Sequence, residues 1–239
     1  GKAGLDCKYS AALSEGTGGT VTAAAAALTS GTTEPSIANV LLLIANREYR
    51  FILPCLSNAD LATASATTAN MGLLKTYIRA TDTGIGALLQ TAHSACTDST
   101  TNAKAMSNQH DWEYFSHHLI RGALSLPCEW AGAIVGAYAR ETKSDPNHPM
   151  VKLGLVATLV GSPAIQSDGL TAAEQEDLLN SGVSYIDYDA QGTPRFARPI
   201  STYFEDTDGN PDDRILDISK VFGMVAVGAD LRTFCERTF

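Results

Sequence analysis

Residues 178–217 read LLNSGVSYIDYDAQGTPRFARPISTYFEDTDGNPDDRILD and decide how the rest of the chain is interpreted. After a helix end, a strand is predicted from Val183 to Tyr188, followed by a turn at 189–192 and a second strand from Phe196 to Phe204. An acidic loop and the cap of a final helix come next. β-branched and aromatic residues fill both strand runs, and Gly192 supplies the positive φ that a tight connection needs. The segment therefore predicts a β-hairpin.

Helix and strand patterns alternate along the remainder of the chain. Helices are predicted at 35–46, at 127–143, from 171 to just before Gly182, and from 218 to about 234. A short exposed helix is predicted at 98–109. Two further helices are predicted, one that starts at Ser57 or Asn58 and one that carries the apolar stripe Met71, Leu74, Tyr77 and Ile78. Strands are predicted at 5–13 and 20–28 as a second hairpin, and at 49–53, 87–92 and 114–120. We expect an α/β fold in which a mixed β-sheet has helices packed on its faces, with β-hairpins in addition. One domain across residues 1–239 is the simplest organisation.

Two helices carry more specific expectations. In the helix at 127–143, apolar residues follow Trp130 along one face, and Gly132 and Gly136 lie four residues apart, which predicts a close backbone approach. Asp145-Pro146 is a stop signal for that helix. The last helix has two apolar stripes, the first starting at Ile218 and the second at Met224. A helix that is apolar almost all round is expected to be central or covered.

Composition excludes several classes of protein. Hydrophobic residues make up 44% of the chain and charged residues 18%, which is typical of a folded globular protein rather than a disordered one. The net charge of -9 disfavours binding to nucleic acid. The longest apolar run, Val40 to Ala45, is too short to span a bilayer. Five scattered cysteines without a C-x-x-C pair fit a reducing compartment.

Glycine-rich and histidine patterns do not assemble into a known catalytic or metal motif. The loop at 16–20 lacks the lysine of a phosphate-binding loop, and the Gly84-Ile85-Gly86 start of a dinucleotide fingerprint has Leu89 where the third glycine belongs. No H-E-x-x-H, H-x-x-E-H or G-x-S-x-G motif occurs. His117 and His118 are adjacent, so in a strand they point to opposite faces and do not share one ion. We predict no catalytic, cofactor-binding or metal-binding residue.

The acidic loop at 205–213 partly matches a calcium-binding loop. Asp206, Asp208 and Asn210 match the first three ligands of a calcium loop, but Pro211 stands where that loop requires glycine, and Asp217 replaces the bidentate glutamate. We expect a solvated acidic turn that binds no calcium.

Several short segments, in this order, resemble the contractile tail sheath proteins of Mu-like phages and R-type pyocins. The matching segments are 35–38 (PSIA), Pro54 with 57–61 (SNADL), 127–131 (PCEWA), 145–149 (DPNHP), 178–202, 216–217 (LD) and 230–233 (DLRT). The chain departs from the family at 150–156, where relatives carry Pro-x-Leu-Pro-Gly. Relatives also have a longer N-terminal region and a basic C-terminal segment, so the chain resembles a sheath core truncated at both ends.

The resemblance implies a structural protein rather than an enzyme, with no cofactor. Such a subunit stacks with other sheath subunits in helical rings around the tail tube, contacts the baseplate, and contracts to drive the tube through a bacterial envelope. It would be located in the virion tail and assembled in the host cytoplasm, without nucleic-acid binding or membrane insertion. Sheath relatives join neighbours by exchanging terminal strands, so the 239-residue chain alone is expected to be monomeric. The alternatives are an α/β enzyme of unknown substrate and a receptor-binding, adhesin-like module.

Overall fold

The structure is a computed structural model that describes residues 36–45, 49–62, 69–81, 90–123, 125–155, 169–189, 192–206, 208–210, 212 and 217–238. The chain divides into two compact units, Gly1–Pro35 and Ser36–Phe239, and every described residue belongs to the second. The hairpin predicted at 5–13 and 20–28 lies outside the described residues. The organisation of residues 1–239 as one domain stays a prediction.

Seven helices and five strands make up the described part of the chain. The helices are α1 (Ala38–Ile44), α2 (Asn58–Leu61), α3 (Asn70–Thr81), α4 (Thr100–Asn108), α5 (Pro127–Thr142), α6 (Ala172–Asn180) and α7 (Ile218–Thr238). The strands are β1 (Phe51–Ile52), β2 (Thr91–Cys96), β3 (Phe115–Leu119), β4 (Val183–Tyr188) and β5 (Pro194–Phe196). The α/β fold class with a mixed sheet is confirmed.

The five strands lie in the order β1-β2-β3-β4-β5. The first three pairings are parallel, and β4 pairs with β5 in an antiparallel hairpin. Each parallel connection includes at least one helix, as parallel neighbours require. Gly192 closes the hairpin at φ +82°, and its N–H donates to the Asp189 carbonyl at 3.0 Å. The hairpin and the bounds of β4 are as the sequence predicts.

The second strand of the hairpin is shorter than predicted. Only Pro194–Phe196 forms the strand, whereas Phe196–Phe204 was expected. Pro199 has no N–H to donate to a ladder, so the following segment takes other partners. The Ile200 carbonyl accepts hydrogen bonds from the hydroxyls of Ser116 and Ser184, at 2.8 and 3.1 Å. The segment is buried and irregular.

Strand β2 overlaps only the end of the predicted strand at 87–92, of which residues 87–89 lie outside the described residues. It reads Thr-Ala-His-Ser-Ala-Cys, and all six residues are buried. Central strands of a parallel sheet are covered on both faces, so packing rather than intrinsic β propensity decides where this strand forms. The predicted strand at 49–53 is reduced to the two residues of β1.

The sheet separates two hydrophobic clusters. On the first face, helices α1 to α4 and α6 contribute Leu41, Leu61, Met71, Leu74, Ile78, Ala103, Met106 and Leu178. On the second face, helices α5 and α7 contribute Trp130, Ala131, Ile134, Ala137, Tyr138, Ile218, Val221, Phe222 and Val225. The protein is therefore layered, with a sheet between two sets of helices. Helix α4 was expected to be exposed, but it buries Ala103, Met106 and Ser107.

Helix ends follow the side-chain signals in the sequence. The Thr171 hydroxyl accepts from the Glu174 N–H at 3.3 Å, and the Glu174 carboxylate accepts from the Thr171 N–H at 2.8 Å, which completes the predicted capping box of α6. The Ser57 hydroxyl caps α2 by accepting from the Asp60 N–H at 3.2 Å. Helix α5 begins at Pro127 and ends before Asp145, as predicted.

Two expectations about helix packing are wrong. Gly132 and Gly136 in α5 are exposed, and a Cβ at either position meets nothing within 4 Å, so these glycines do not mark a close backbone approach. Helix α7 buries its first stripe only. The second stripe, Met224, Val227, Leu231 and Phe234, is exposed, so the helix is not covered on that side.

The Trp130→Ala variant should lose about 3–5 kcal/mol of the free energy of unfolding, because it leaves a large cavity. Trp130 is fully buried among the residues of the second cluster. Urea unfolding monitored by circular dichroism measures the loss. A loss below about 1 kcal/mol would contradict the burial of this side chain.

The Gly182→Ala variant should destabilise the protein more than Gly209→Ala, although both glycines have positive φ, +70° and +79°. A Cβ at Gly182 would meet Ser107 Oγ and the Thr202 backbone at 3.0 Å, whereas a Cβ at Gly209 meets nothing within 4 Å. The left-handed conformation costs each variant about 1–2 kcal/mol, and the contacts should add at least about 1 kcal/mol for Gly182→Ala. If denaturant unfolding shows that both variants lose the same free energy of unfolding, the contacts around Gly182 add no steric cost.

Candidate functional site

The centre of the sheet contains three fully buried histidines, His93 on β2 and His117 and His118 on β3. His117 and His118 point to opposite faces, as their adjacency predicts. Ser94 Oγ lies 2.7 Å from His117 Nδ1, and on the other face Ser116 Oγ lies 2.9 Å from His118 Nε2. Among the described residues, no group of three or more His, Cys, Asp or Glu side chains is arranged to hold a metal ion.

Hydroxyl groups lie beside one nitrogen of each of the other two rings. His93 Nε2 lies 2.9 Å from Thr91 Oγ1, and the Thr91 hydroxyl is 3.2 Å from the Arg50 carbonyl. The Ser116 hydroxyl beside His118 is 2.8 Å from the Ile200 carbonyl. Each hydroxyl thus links a histidine ring to a backbone carbonyl.

Ser94 and His117 have the distance of a nucleophile and its general base. However, both side chains are about 1% exposed, so no substrate reaches the hydroxyl. The second ring nitrogen of His117 has no hydrogen-bond partner among the described residues, so no carboxylate orients the ring. Burial lowers the pKa of His117 to about 3, which makes it a weak base. This geometry fits a structural hydrogen bond between β2 and β3.

Burial keeps the whole group uncharged. It lowers the pKa of His93 to about 3. The pKa of His118 also lies well below its usual value, first because of burial and then because of repulsion from His93 and His117. The Tyr138 hydroxyl lies 3.1 Å from His118 Nε2, and burial raises the pKa of Tyr138 well above its usual value. Sequence reasoning missed this network, whose only signal is the run of small polar residues in β2 and β3.

The acidic loop forms a hydrogen-bonded turn. Asp206 Oδ1 accepts from the N–H groups of Asp208 and Asn210, each at 2.9 Å, and the Asp206 N–H donates to the Asn210 carbonyl at 2.9 Å. The hydrogen bond from the Asn210 backbone is the main cause that lowers the pKa of Asp206. Asp206 thus has a role in the turn itself. The absence of calcium binding stays a prediction.

The two edges of the sheet differ. Beside β5, the N–H groups of Lys152 and Leu155 donate to the carbonyls of Phe196 and Pro194 at 2.7 and 2.8 Å, so residues 152–155 cover that edge. On the other side, none of the described strands pairs with the outer edge of β1. The edge at β1 is therefore a candidate for pairing with a strand from elsewhere.

An exposed apolar stripe lies along the outer side of α7. Met224 is 47% exposed, Val227 and Leu231 are each 60% exposed, and Phe234 is 62% exposed. An open groove of about 790 Å³ lies beside this stripe, between α7 and the 145–147 loop. A contiguous apolar stripe of this kind is typical of an interaction surface. In the part of the chain with assigned structure, no helix is long and apolar enough to cross a membrane.

Stability should fall as the pH falls below about 6.5, the pKa of an unfolded-state histidine. The folded-state pKa values of His93 and His117 are lowered to about 3, so between these values the unfolded chain binds more protons than the folded chain. Each histidine should remove about 1.4 kcal/mol per pH unit in that window. Urea unfolding between pH 7 and pH 5 measures how the free energy of unfolding changes with pH, and thus the number of protons taken up on unfolding. The His117→Gln variant should take up about one proton fewer. A flat profile would contradict the buried neutral state of the histidines.

Comparison with known proteins finds similarity at the level of structure. No family model and no curated protein matches the chain. A sheath tail protein from Desulfitobacterium hafniense matches with a TM-score of 0.58 at 10% identity, covering 93% of this chain and 45% of that protein. A sheath tail protein from Listeria innocua matches with a TM-score of 0.54 at 11% identity, covering 80% of this chain and 38% of that protein. The chain spans less than half the length of each, and it shares the fold of that part of two sheath tail proteins.

Proposed function

We propose that the chain is the core of a structural subunit of a contractile tail sheath, of the kind found in Mu-like phages and R-type pyocins. The observation that carries the proposal is the fold, which is similar to a sheath tail protein over 93% of this chain. The resemblance in sequence adds independent support, because its segments coincide with element boundaries. Ser57 caps α2, Pro127 begins α5, and Asp217 directly precedes α7.

The proposed role is mechanical. Subunits stack in helical rings around a tail tube, contact the baseplate, and move from a metastable extended arrangement to a tighter one during contraction, which drives the tube through the bacterial envelope. The subunit belongs to the virion and is assembled in the host cytoplasm. A net charge of -9 supports protein partners rather than nucleic acid.

The sheet edge at β1 supports assembly by strand addition. In this mode, a strand donated by a neighbouring subunit pairs with the unpaired backbone groups of the edge, and backbone hydrogen bonds provide the affinity. We expect the 239 residues alone to be monomeric and to form no tubes.

The enzyme alternative has less support. The serine and histidine pairs found among the described residues, Ser94 with His117 and Ser116 with His118, are buried inside the sheet. The receptor-binding alternative has only the exposed stripe of α7 in its favour, and a contact between subunits accounts for that stripe equally well.

Electron microscopy of the complete gene product that contains this sequence tests the proposal. The expected result is hollow tubes or stacked rings in negative stain, and a cryo-EM map whose wall accommodates the five-stranded sheet with α5 and α7 on one face. The 239-residue chain is the matched control and should sediment without tubes. Single globular particles from the complete product, at all concentrations and with its tube protein present, would overturn the proposal. Tubes from the 239 residues alone would contradict the expectation that they are monomeric.

A further inference from the structure

Helix α7 packs on the sheet through the ring of Phe222, which is 1% exposed. The Phe222 ring centroid lies 5.6 Å from that of Phe51, 5.1 Å from that of Tyr138 and 5.8 Å from that of His93. The His93 ring in turn lies 5.1 Å from Tyr138 and 5.7 Å from Phe51. One cluster of four rings therefore joins α7 to β1, β2 and α5, and His93 is the member that can gain a positive charge.

A positive charge on His93 has no compensating partner in this cluster. His93 Nε2 faces the neutral hydroxyl of Thr91 at 2.9 Å, and His93 Nδ1 has no hydrogen-bond partner among the described residues. A buried charge without a partner is costly, so a protonated ring must gain contact with water.

The elements packed around the ring supply no negative charge either. From α5 it meets Tyr138, whose pKa burial raises well above its usual value, so the hydroxyl stays neutral. From β3 it meets the field of His118, and the two rings repel each other when both are charged. β1 and α7 contribute the apolar rings of Phe51 and Phe222, and Lys220 on α7 is itself a cation.

Helix α7 is held on the sheet by fewer residues than α5. Seven of the sixteen residues of α5 are buried, whereas α7 buries four of twenty-one, all between Ile218 and Val225. No residue from 226 to 238 is buried. Local opening starts in elements that have few buried contacts, so movement of α7 is the least costly way to bring water to His93.

We propose that α7 is released from the sheet by acid, because protonation of His93 breaks its contact with Phe222, while the strands of the sheet stay paired. The released helix exposes its buried stripe, which starts at Ile218. This device is independent of the proposed sheath function, since it uses only contacts within the chain.

Proton linkage gives the direction and the size of the effect. The pKa of His93 is about 3 while α7 covers it, and it returns to about 6.5 when water reaches the ring. Between these values the released form binds one proton more, so release is favoured about tenfold for each unit by which the pH falls. Global unfolding also exposes His110, His117 and His118, whose pKa values are lowered by burial, so it depends on pH more steeply.

Amide hydrogen exchange, corrected for the intrinsic effect of pH on exchange, tests the release. The amides of residues 222–226 report on α7, and those of residues 115–119 on β3 report on global unfolding. At pH 7 the α7 amides should be less protected than the β3 amides. Between pH 6 and pH 5 the protection of the α7 amides should fall about tenfold.

Two histidine variants assign the proton. His93→Gln removes the titrating ring and keeps a group that can donate to the Thr91 hydroxyl, so the protection of α7 should change less than about twofold between pH 6 and pH 5. The matched control is His117→Gln, because His117 is equally buried with a pKa lowered to about 3 but lies on the other face of the sheet. This control should keep the tenfold change. Circular dichroism at pH 7 checks that each variant folds, and the wild-type profile decides the outcome if one does not.

Three results would each overturn the proposal. The first is equal protection of the α7 and β3 amides at every pH, which means that α7 leaves only when the whole domain unfolds. The second is protection of α7 that does not change between pH 6 and pH 5. The third is a folded His93→Gln variant that keeps the wild-type dependence on pH.

Discussion

The hydrogen bonding of the polar side chains inside the two central strands is the constraint on which the rest of the structure depends. Strands β2 and β3 bury His93, Ser94, Ser116, His117 and His118 between two layers of helices. An unpaired buried polar group costs about as much as a good hydrogen bond contributes, so the neighbours must supply partners. The strand register provides one such partner, since it places Ser94 directly beside His117. A shift of one residue would break this pair and turn each side chain to the other face.

The chain after the hairpin is shaped by the same requirement. Pro199 prevents a regular ladder, and the Ile200 carbonyl instead accepts hydroxyl hydrogens from β3 and β4. The Ile200 N–H donates to Ser184 Oγ at 2.8 Å, and the Thr202 N–H donates to the Phe115 carbonyl at 2.8 Å. These bonds fasten the segment over the sheet and bring the chain to the start of α7. The buried serines thus connect the centre of the sheet to the position of the last helix.

Sequence patterns predicted the features that interactions between residues close in the chain determine. Gly192 and the β-branched runs predicted the hairpin, and Thr171 with Glu174 predicted the start of α6. Strand β2 was misplaced, because its small polar residues carry no β pattern and its burial is decided by the layers on both sides. The His93, His117 and His118 network was missed for the same reason, since only strand register brings the hydroxyls within reach. The sequence also showed both stripes of α7, but not which of them faces the domain.

The two stripes of α7 explain why a helix that reads as fully buried is only half covered. The first stripe meets the second cluster through Phe222, which packs edge-on against Phe51 and against Tyr138, with ring centroids 5.6 and 5.1 Å apart. The other stripe, which starts at Met224, leaves large apolar residues exposed among the described residues, as at an interaction surface. The outer stripe of α7 and the sheet edge at β1, with which no described strand pairs, are thus two separate surfaces of the same core.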